Sequence, residues 1–341
     1  MTRLKVAIVG ASGYGGSELL RLLLPHPHVE VVWATSRKHA GKPLGSAHPH
    51  LSHLKNPVFT DPPMEDVARD CDAVFLALPH GEAMGRVRPF AEQNRMIFDL
   101  SSDFRLRDPS VYANAYGRVH SAPELIPSFV YGQPELMMKA GTKATRVACP
   151  GCFPTGALMA LGPLAVRSLL RGRVVITSST GSSGSGAEPG ERTHHPVRAE
   201  DFRAYKPLTH QHTHEIAQGL SDLGASGIDL CFIPHSAPMV RGIATTAVVE
   251  ISDPKTDVEA LYRSHYAGMG FIRILKEPPR CAVVAGTQYV DIHVVQKGAT
   301  VVAMSAIDNL VRGAAGQAVQ CLNLAMGWPE DTGLTFMGTN P

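Results

Sequence analysis

At 341 residues the chain is too long for one ordinary hydrophobic core and fits about two domains. With 44% hydrophobic and 18% charged residues it has a globular composition, which excludes intrinsic disorder. A formal charge of +2 is too small to argue for nucleic acid, and no apolar run reaches the ~18 residues of a membrane span, so neither partner is expected.

The first run, "LKVAIVG" (4–10), is β-branched, apolar and closed by glycine. No signal-peptide pattern precedes it, so a cytoplasmic protein is expected. Leu19, Leu20, Leu22, Leu23 and Leu24 then recur at helical spacing. Further strands are predicted at 29–36, 71–79 and 95–101, with a helix over 81–93 between the last two. Strands alternating with helices predict an α/β fold with a parallel, doubly wound sheet of the Rossmann type.

Gly10-Ala11-Ser12-Gly13-Tyr14-Gly15-Gly16 stands where the first strand turns into the first helix. Glycines there let the backbone approach a pyrophosphate, whose charge meets the helix N-terminus. The cofactor-binding candidates are therefore Gly10, Ser12, Gly13, Tyr14 and Gly15. An NAD site would place Asp or Glu at the end of the second strand. This chain has Thr35-Ser36-Arg37-Lys38, where Ser36 and Arg37 suit a 2′-phosphate and point to NADP; the alternative is a solvated basic loop.

"VACPGCFPTG" (147–156) holds two cysteines at C-x-x-C spacing. A redox dithiol belongs near the start of a small βαβ domain, and structural zinc needs a second paired motif that the chain lacks. A nucleophile is left. Cys152 follows Gly151 and precedes Pro154, a first-turn residue for the helix "PTGALMALGPLAVRSLL", whose dipole favours thiolate. The six cysteines are scattered, and thiols rather than a disulfide framework are expected. A cysteine nucleophile beside a nicotinamide cofactor implies acyl transfer coupled to hydride transfer, which needs a base near sulfur.

His194, His195, His210, His212 and His214 supply candidates for that base. His210 and His212 would share one side of a strand, and His210 and His214 are spaced i, i+4, so zinc is an alternative. Neither arrangement matches H-E-x-x-H, and an acid/base histidine oriented by a carboxylate is favoured, with no metal.

These motifs are joined by "LPHG" (78–81), "DLSSDFRL" (99–106), "GSSGSGAEPG" (181–190), "HQHTHE" (210–215), "AIDNLVRGAAGQAVQ" (306–320) and "GWPEDTGL" (327–334). Together they resemble the N-acetyl-γ-glutamyl-phosphate reductases of arginine biosynthesis and their relatives in carrier-protein lysine biosynthesis, along essentially the whole chain. The resemblance implies a Rossmann-type NADP-binding domain at 1–150 and 309–341. It also implies an α+β semialdehyde-dehydrogenase-type catalytic and oligomerisation domain at 151–308, in a homodimer or homotetramer. It makes Cys152 the nucleophile and His212 the acid/base. Arg105, Ser182, Ser183, Tyr205, His210 and Glu215 become substrate-pocket residues, with Glu215 orienting His212 and Arg105 receiving a phosphate or carboxylate. Asn309 is implied to hold the nicotinamide amide. The implied reaction is NADPH-dependent reduction of N-acetyl-γ-glutamyl phosphate to the semialdehyde through a cysteine thioester.

Three positions depart from the family pattern. Cys149 replaces an asparagine, which removes an orienting amide and would allow a Cys149–Cys152 disulfide. Gln211 replaces an arginine, and His214 a proline or alanine. "THHPVR" (193–198), "YKP" (205–207) and "MGWPE" (326–330) look closer to the lysine-pathway relatives, whose aminoadipyl or glutamyl phosphate is tethered to an acidic carrier protein. Arg192, His194, His195, Arg198, Arg203 and Lys206 form a basic run on which such a carrier would dock, the alternative being ordinary surface.

Overall fold

In the computed structural model, which describes residues 2–138 and 144–338, the chain is α/β and divides into two compact units. The first comprises Met1–Pro134, Met138–Pro150 and Ala314–Thr335; the second comprises Glu135–Met137, Gly151–Gly313 and Phe336–Pro341.

Six strands build the first unit: β1 (Leu4–Val9), β2 (Val29–Thr35), β3 (Ala73–Leu76), β4 (Met96–Asp99), β5 (Val130–Tyr131) and β6 (Arg146–Ala148). All pair in parallel, in the order β2-β1-β3-β4-β6-β5. Helices lie against the sheet, and Val6–Val9 and Ala73–Leu76 are accordingly buried along their whole length. The strand order reverses between β1 and β3, which places the ligand crevice of a doubly wound sheet at their carboxyl ends. The helix Gly316–Met326 returns the chain to this unit, and Trp328 beyond it packs 4.8 Å from the His28 ring.

Within the predicted helix over 81–93, only Arg88–Glu92 is helical. Gly81 has φ of +84°, and the Asp103 carboxylate takes the amides of Gly81 (2.7 Å) and Met84 (3.0 Å). Amides pulled toward a side chain cannot join a helical ladder.

The second unit holds β7 (Leu170–Thr180), β8 (Arg203–Ala204), β9 (Asp229–Ser236), β10 (Ile243–Ile251), β11 (Ile272–Ile274), β12 (Val290–Lys297) and β13 (Thr300–Ile307). They form one mixed sheet in the order β11-β12-β13-β10-β7-β9-β8. The helix Cys152–Val166 lies on one face, with Phe153 through Ala165 buried, as expected of a helix that is apolar all round. Pro163 offers no N–H to the carbonyl four residues earlier, and Tyr266 Oη donates to that Met159 oxygen instead, at 2.7 Å. The opposite face of the sheet carries exposed Val248 and Val295 and half-buried Val175, Ile233, Val302 and Met304.

Residues 309–313, which the sequence reading joins to the first domain, cluster with the second unit. Their side chains explain this. Asn309 bonds to Ser183 and Gly242, and fully buried Arg312 forms a bidentate ion pair with Glu135. Among the described residues, no helix is long and apolar enough to cross a membrane.

Candidate active site

In the first unit, β1 ends at Val9 and the chain turns through Gly10 with φ of +87°. A Cβ on Gly10 would stand 2.4 Å from the Ala77 carbonyl oxygen just past β3, so only glycine fits this switch point. Gly13 is the N-cap of the helix Tyr14–Leu23. Added Cβ atoms on Gly13 and Gly15 would come no nearer to other atoms than 3.8 and 4.0 Å. The fold itself does not demand glycine at these two positions, and their bare backbone leaves the room a pyrophosphate needs at the helix N-terminus.

Ser36 Oγ donates to Ser12 Oγ at 2.8 Å, tying the end of β2 to the glycine turn. Arg37 is 70% exposed and touches Glu82 at only 3.9 Å, a loosely held cation beside Ser36. The residues at the end of β2 therefore fit a 2′-phosphate. His48, which the sequence reading passed over, donates from Nε2 to the Ala11 carbonyl at 2.8 Å and braces the same turn. Burial holds its pKa below the usual histidine range, so the neutral ring makes this bond.

Elsewhere in this unit Arg105 is 5% exposed; its Nε donates to the Cys149 carbonyl at 2.7 Å and Nη2 to the Leu100 carbonyl at 2.8 Å. Those donors staple the 99–106 turn to the end of β6. Asp103 accepts from Tyr112 Oη at 2.9 Å in addition to the two amides of the 81–84 turn. Asp99, fully buried, is pushed up to about 7 by burial and then by the Asp103 charge, against the bonds from Ser101.

In the second unit Cys152 is the first residue of its helix, behind Gly151 as N-cap, and is half-buried. A thiol there lies among the N–H groups that have no partner within the helix. Glu215 Oε1 accepts the Gly151 N–H at 2.8 Å. Glu215 thereby grips the residue ahead of Cys152. Gly313 presses on the same place: its added Cβ would stand 2.7 Å from Cys152 Cβ and 3.2 Å from Cys152 Cα. Gly313 lies in a π-helical turn, Val311–Ala315, a rare element that often marks functional sites.

His212 opens the helix His212–Asp222 and is 7% exposed. His210 Nδ1 accepts the His212 N–H at 3.1 Å, and the two rings lie 4.8 Å apart. That lone pair is spent on a backbone amide, which removes it from the zinc alternative, and His214 is exposed. Among the described residues, no cluster of three or more His, Cys, Asp or Glu could hold a metal ion. Phe153, next to Cys152, packs edge-on against both rings at 5.5 and 5.9 Å. Tyr205 lies 5.6 Å from the His210 ring, and its phenol is pushed up first by burial and then by the Cys152 charge, so it stands near the sulfur. Lys206 and Leu208, at φ of +44° and +61°, make the strained turn between Tyr205 and His210.

Ser183 Oγ donates to the Val240 carbonyl at 2.6 Å and accepts from Asn309 Nδ2 at 2.9 Å, while Ser182 is half-buried. Asn309 Oδ1 accepts the Gly242 N–H at 2.8 Å, so its amide braces the serine loop from both ends. All six cysteines are thiols, Cys149 fully buried. The structure gathers Cys152, Tyr205, His210, His212 and Glu215 in the second unit. It gathers Gly10, Ser12, Gly13, Tyr14, Gly15, Ser36 and Arg37 in the first.

The basic run does not form one basic surface. Arg198 is 9% exposed, and Arg203 pairs with Asp201 at 2.6 Å; His194, His195 and Lys206 are exposed, and the side chain of Arg192 lies outside the described residues. A charged side chain read from sequence is placed outside by default, and tertiary contacts overrule that for Arg198.

Two family models match the chain: "Semialdehyde dehydrogenase, NAD binding domain" over residues 5–144 and "Semialdehyde dehydrogenase, dimerisation domain" over 152–309. The N-acetyl-gamma-glutamyl-phosphate reductase of Methanopyrus kandleri is 46% identical across 98% of this chain and 99% of that one. The [LysW]-L-2-aminoadipate 6-phosphate reductase of Deinococcus radiodurans is 44% identical, covering 98% of each. The crystal structure of aspartate semialdehyde dehydrogenase II from Vibrio cholerae, complexed with ASA, shares the fold at a TM-score of 0.71 and 17% identity, over 96% of this chain and 99% of that one. The chain belongs to the N-acetyl-gamma-glutamyl-phosphate reductase family and is a nicotinamide-dependent oxidoreductase of the semialdehyde dehydrogenase type.

Proposed function

We propose that the chain reduces N-acetyl-γ-glutamyl phosphate to N-acetylglutamate 5-semialdehyde and phosphate, with NADPH as reductant. The observation that carries this reading is Cys152 in the first turn of its helix, gripped through Gly151 by Glu215, in the same unit as the His210–His212 pair. The sulfur attacks the acyl carbon, the carbon–oxygen bond to phosphate breaks, and phosphate leaves with the electron pair, giving a thioester on Cys152. His212 takes the thiol proton as the sulfur attacks and holds it beside the oxygen that gains charge. Arg105 is assigned to the phosphate, and the 181–186 loop to the substrate's border. NADPH held by the residues of the Gly10–Gly16 turn would supply a hydride to the thioester carbon, leaving the alkoxide of a hemithioacetal on Cys152. The carbon–sulfur bond then breaks, returning electrons to sulfur and releasing the aldehyde.

A second reading keeps this chemistry and changes the group on the substrate nitrogen. The Deinococcus relative acts, by its name, on a carrier-linked aminoadipate 6-phosphate, at nearly the same identity. The reverse reaction separates the two: NADP and phosphate are mixed with acetylated or carrier-linked semialdehyde, and NADPH absorbance is followed. Turnover of the free acetylated aldehyde supports the first reading, and turnover of the carrier-linked one alone supports the second. The apolar sheet face of Val248, Val295, Val302 and Met304 is the surface we assign to a second copy of the chain, in keeping with the dimerisation domain of the family.

Two further expectations follow from the geometry. Arg37→Leu should weaken NADPH by about tenfold and leave NADH nearly unchanged, read by fluorescence titration; equal affinity for both cofactors in the unmodified protein would contradict the assignment. Gly313→Ala should lower kcat by about 10- to 100-fold, because its methyl must displace Cys152 from its place, while NADPH affinity stays the same. Unchanged kcat in that variant would show that the turn yields without moving the nucleophile.

A further inference from the structure

The short helix His195–Arg198 ends on a buried cation. Arg198 is 9% exposed, and its Nη2 donates to the Thr180 carbonyl at 3.2 Å. Its Nε is buried with no acceptor, and among the described residues no carboxylate lies within ion-pair distance of the guanidinium. Asp201, the acid whose charge it feels, is held by Arg203 at 2.6 Å. Burial lowers the pKa of Arg198, yet a guanidinium stays protonated in proteins. An uncompensated buried charge is costly for a fold, and a bound anion removes that cost.

The surroundings show where the anion belongs. Thr180 closes β7 and leads into Gly181–Gly186, the loop assigned to the substrate's border. Tyr205 feels the charges of both Cys152 and Arg198, so the phenol has sulfur and guanidinium as neighbours. An N-blocked glutamyl phosphate carries two anionic groups. Its phosphate is attached to the carbon that sulfur attacks, and its α-carboxylate lies beyond three intervening carbons. A cation that shares the Tyr205 neighbourhood with the sulfur suits the distant group.

We propose that Arg198 is the receptor for the α-carboxylate of the substrate, a role that rests on the substrate reading given above. The carboxylate completes the ion pair that the protein leaves open and fixes the chain of the substrate across Tyr205. Arg198 is then a specificity residue inside the pocket, not part of a carrier-docking surface.

The test runs the reaction backward, from aldehyde, phosphate and NADP, with two aldehydes. One is N-acetylglutamate 5-semialdehyde; the other is 4-acetamidobutanal, the same molecule without its carboxylate. The unmodified enzyme should prefer the first by roughly 10- to 100-fold in kcat/KM, as expected of charge-assisted bonds. Arg198→Met should erase that preference by raising KM for the carboxylated aldehyde, leaving KM for phosphate and kcat/KM for 4-acetamidobutanal unchanged. Arg198→Lys should keep part of it, since the charge remains without the planar fork. If the methionine variant does not fold, the lysine variant decides alone, and an undiminished preference in it overturns the proposal. Equal losses with both aldehydes would overturn it by marking Arg198 as a brace for the Thr180 turn. A raised KM for phosphate would overturn it by giving the cation to the phosphate. An unmodified enzyme inert toward both aldehydes would overturn the substrate reading, and this proposal with it.

Discussion

Cys152→Ala should bind NADPH as the unmodified protein does and lose reductase activity by about four orders of magnitude or more. The nucleotide turn at Gly10–Gly16 belongs to the first unit, whereas Cys152 opens a helix of the second, so the two properties are separable. Cys149→Ala is the matched control. Its thiol is fully buried and is held well above the usual cysteine range, chiefly by burial and then by the Cys321 and Asp99 charges. A thiol kept neutral is a poor nucleophile. Cys149→Ala should therefore retain most of its activity, and a result with the two cysteines exchanged would place the nucleophile on the wrong sulfur.

The next largest effect is expected at His212. His212→Asn should slow turnover by about 10²- to 10⁴-fold, the usual worth of a positioned acid/base, while NADPH affinity holds. Phe153 and His210 pack about the ring, and the substitution leaves them in place, so a general loss of structure is not expected. Exhaustive chelation of the unmodified enzyme completes the comparison. Activity that survives chelation supports acid/base work by His212; activity lost and then restored by zinc would show that the histidines hold a metal.

What the sequence made legible depends on how local each signal is. "LKVAIVG" followed by Gly10, Gly13 and Gly16 identifies a strand, a turn and a helix start, because each depends on neighbours in the chain. The structure adds that Gly10 is demanded by Ala77, a contact no spacing rule reveals. The helix start at Cys152 is legible from Gly151 and Pro154 alone. The groups that hold it are not: Glu215 reaches Gly151 across 64 positions, and Gly313 touches Cys152 from the far end of the unit. The segment 81–93 misled for the same reason, since Asp103 takes its amides from a later strand's loop. Arg198 misled through its charge, because cations are outside in most proteins and this one is not.

The most direct measurement of the central claim is to mix enzyme with N-acetyl-γ-glutamyl phosphate in the absence of NADPH and map the acylated peptide by mass spectrometry. One N-acetylglutamyl group, labile to hydroxylamine and confined to Cys152, is the predicted result; acylation of Cys149, or a chain that remains unmodified while phosphate is released, would contradict the account.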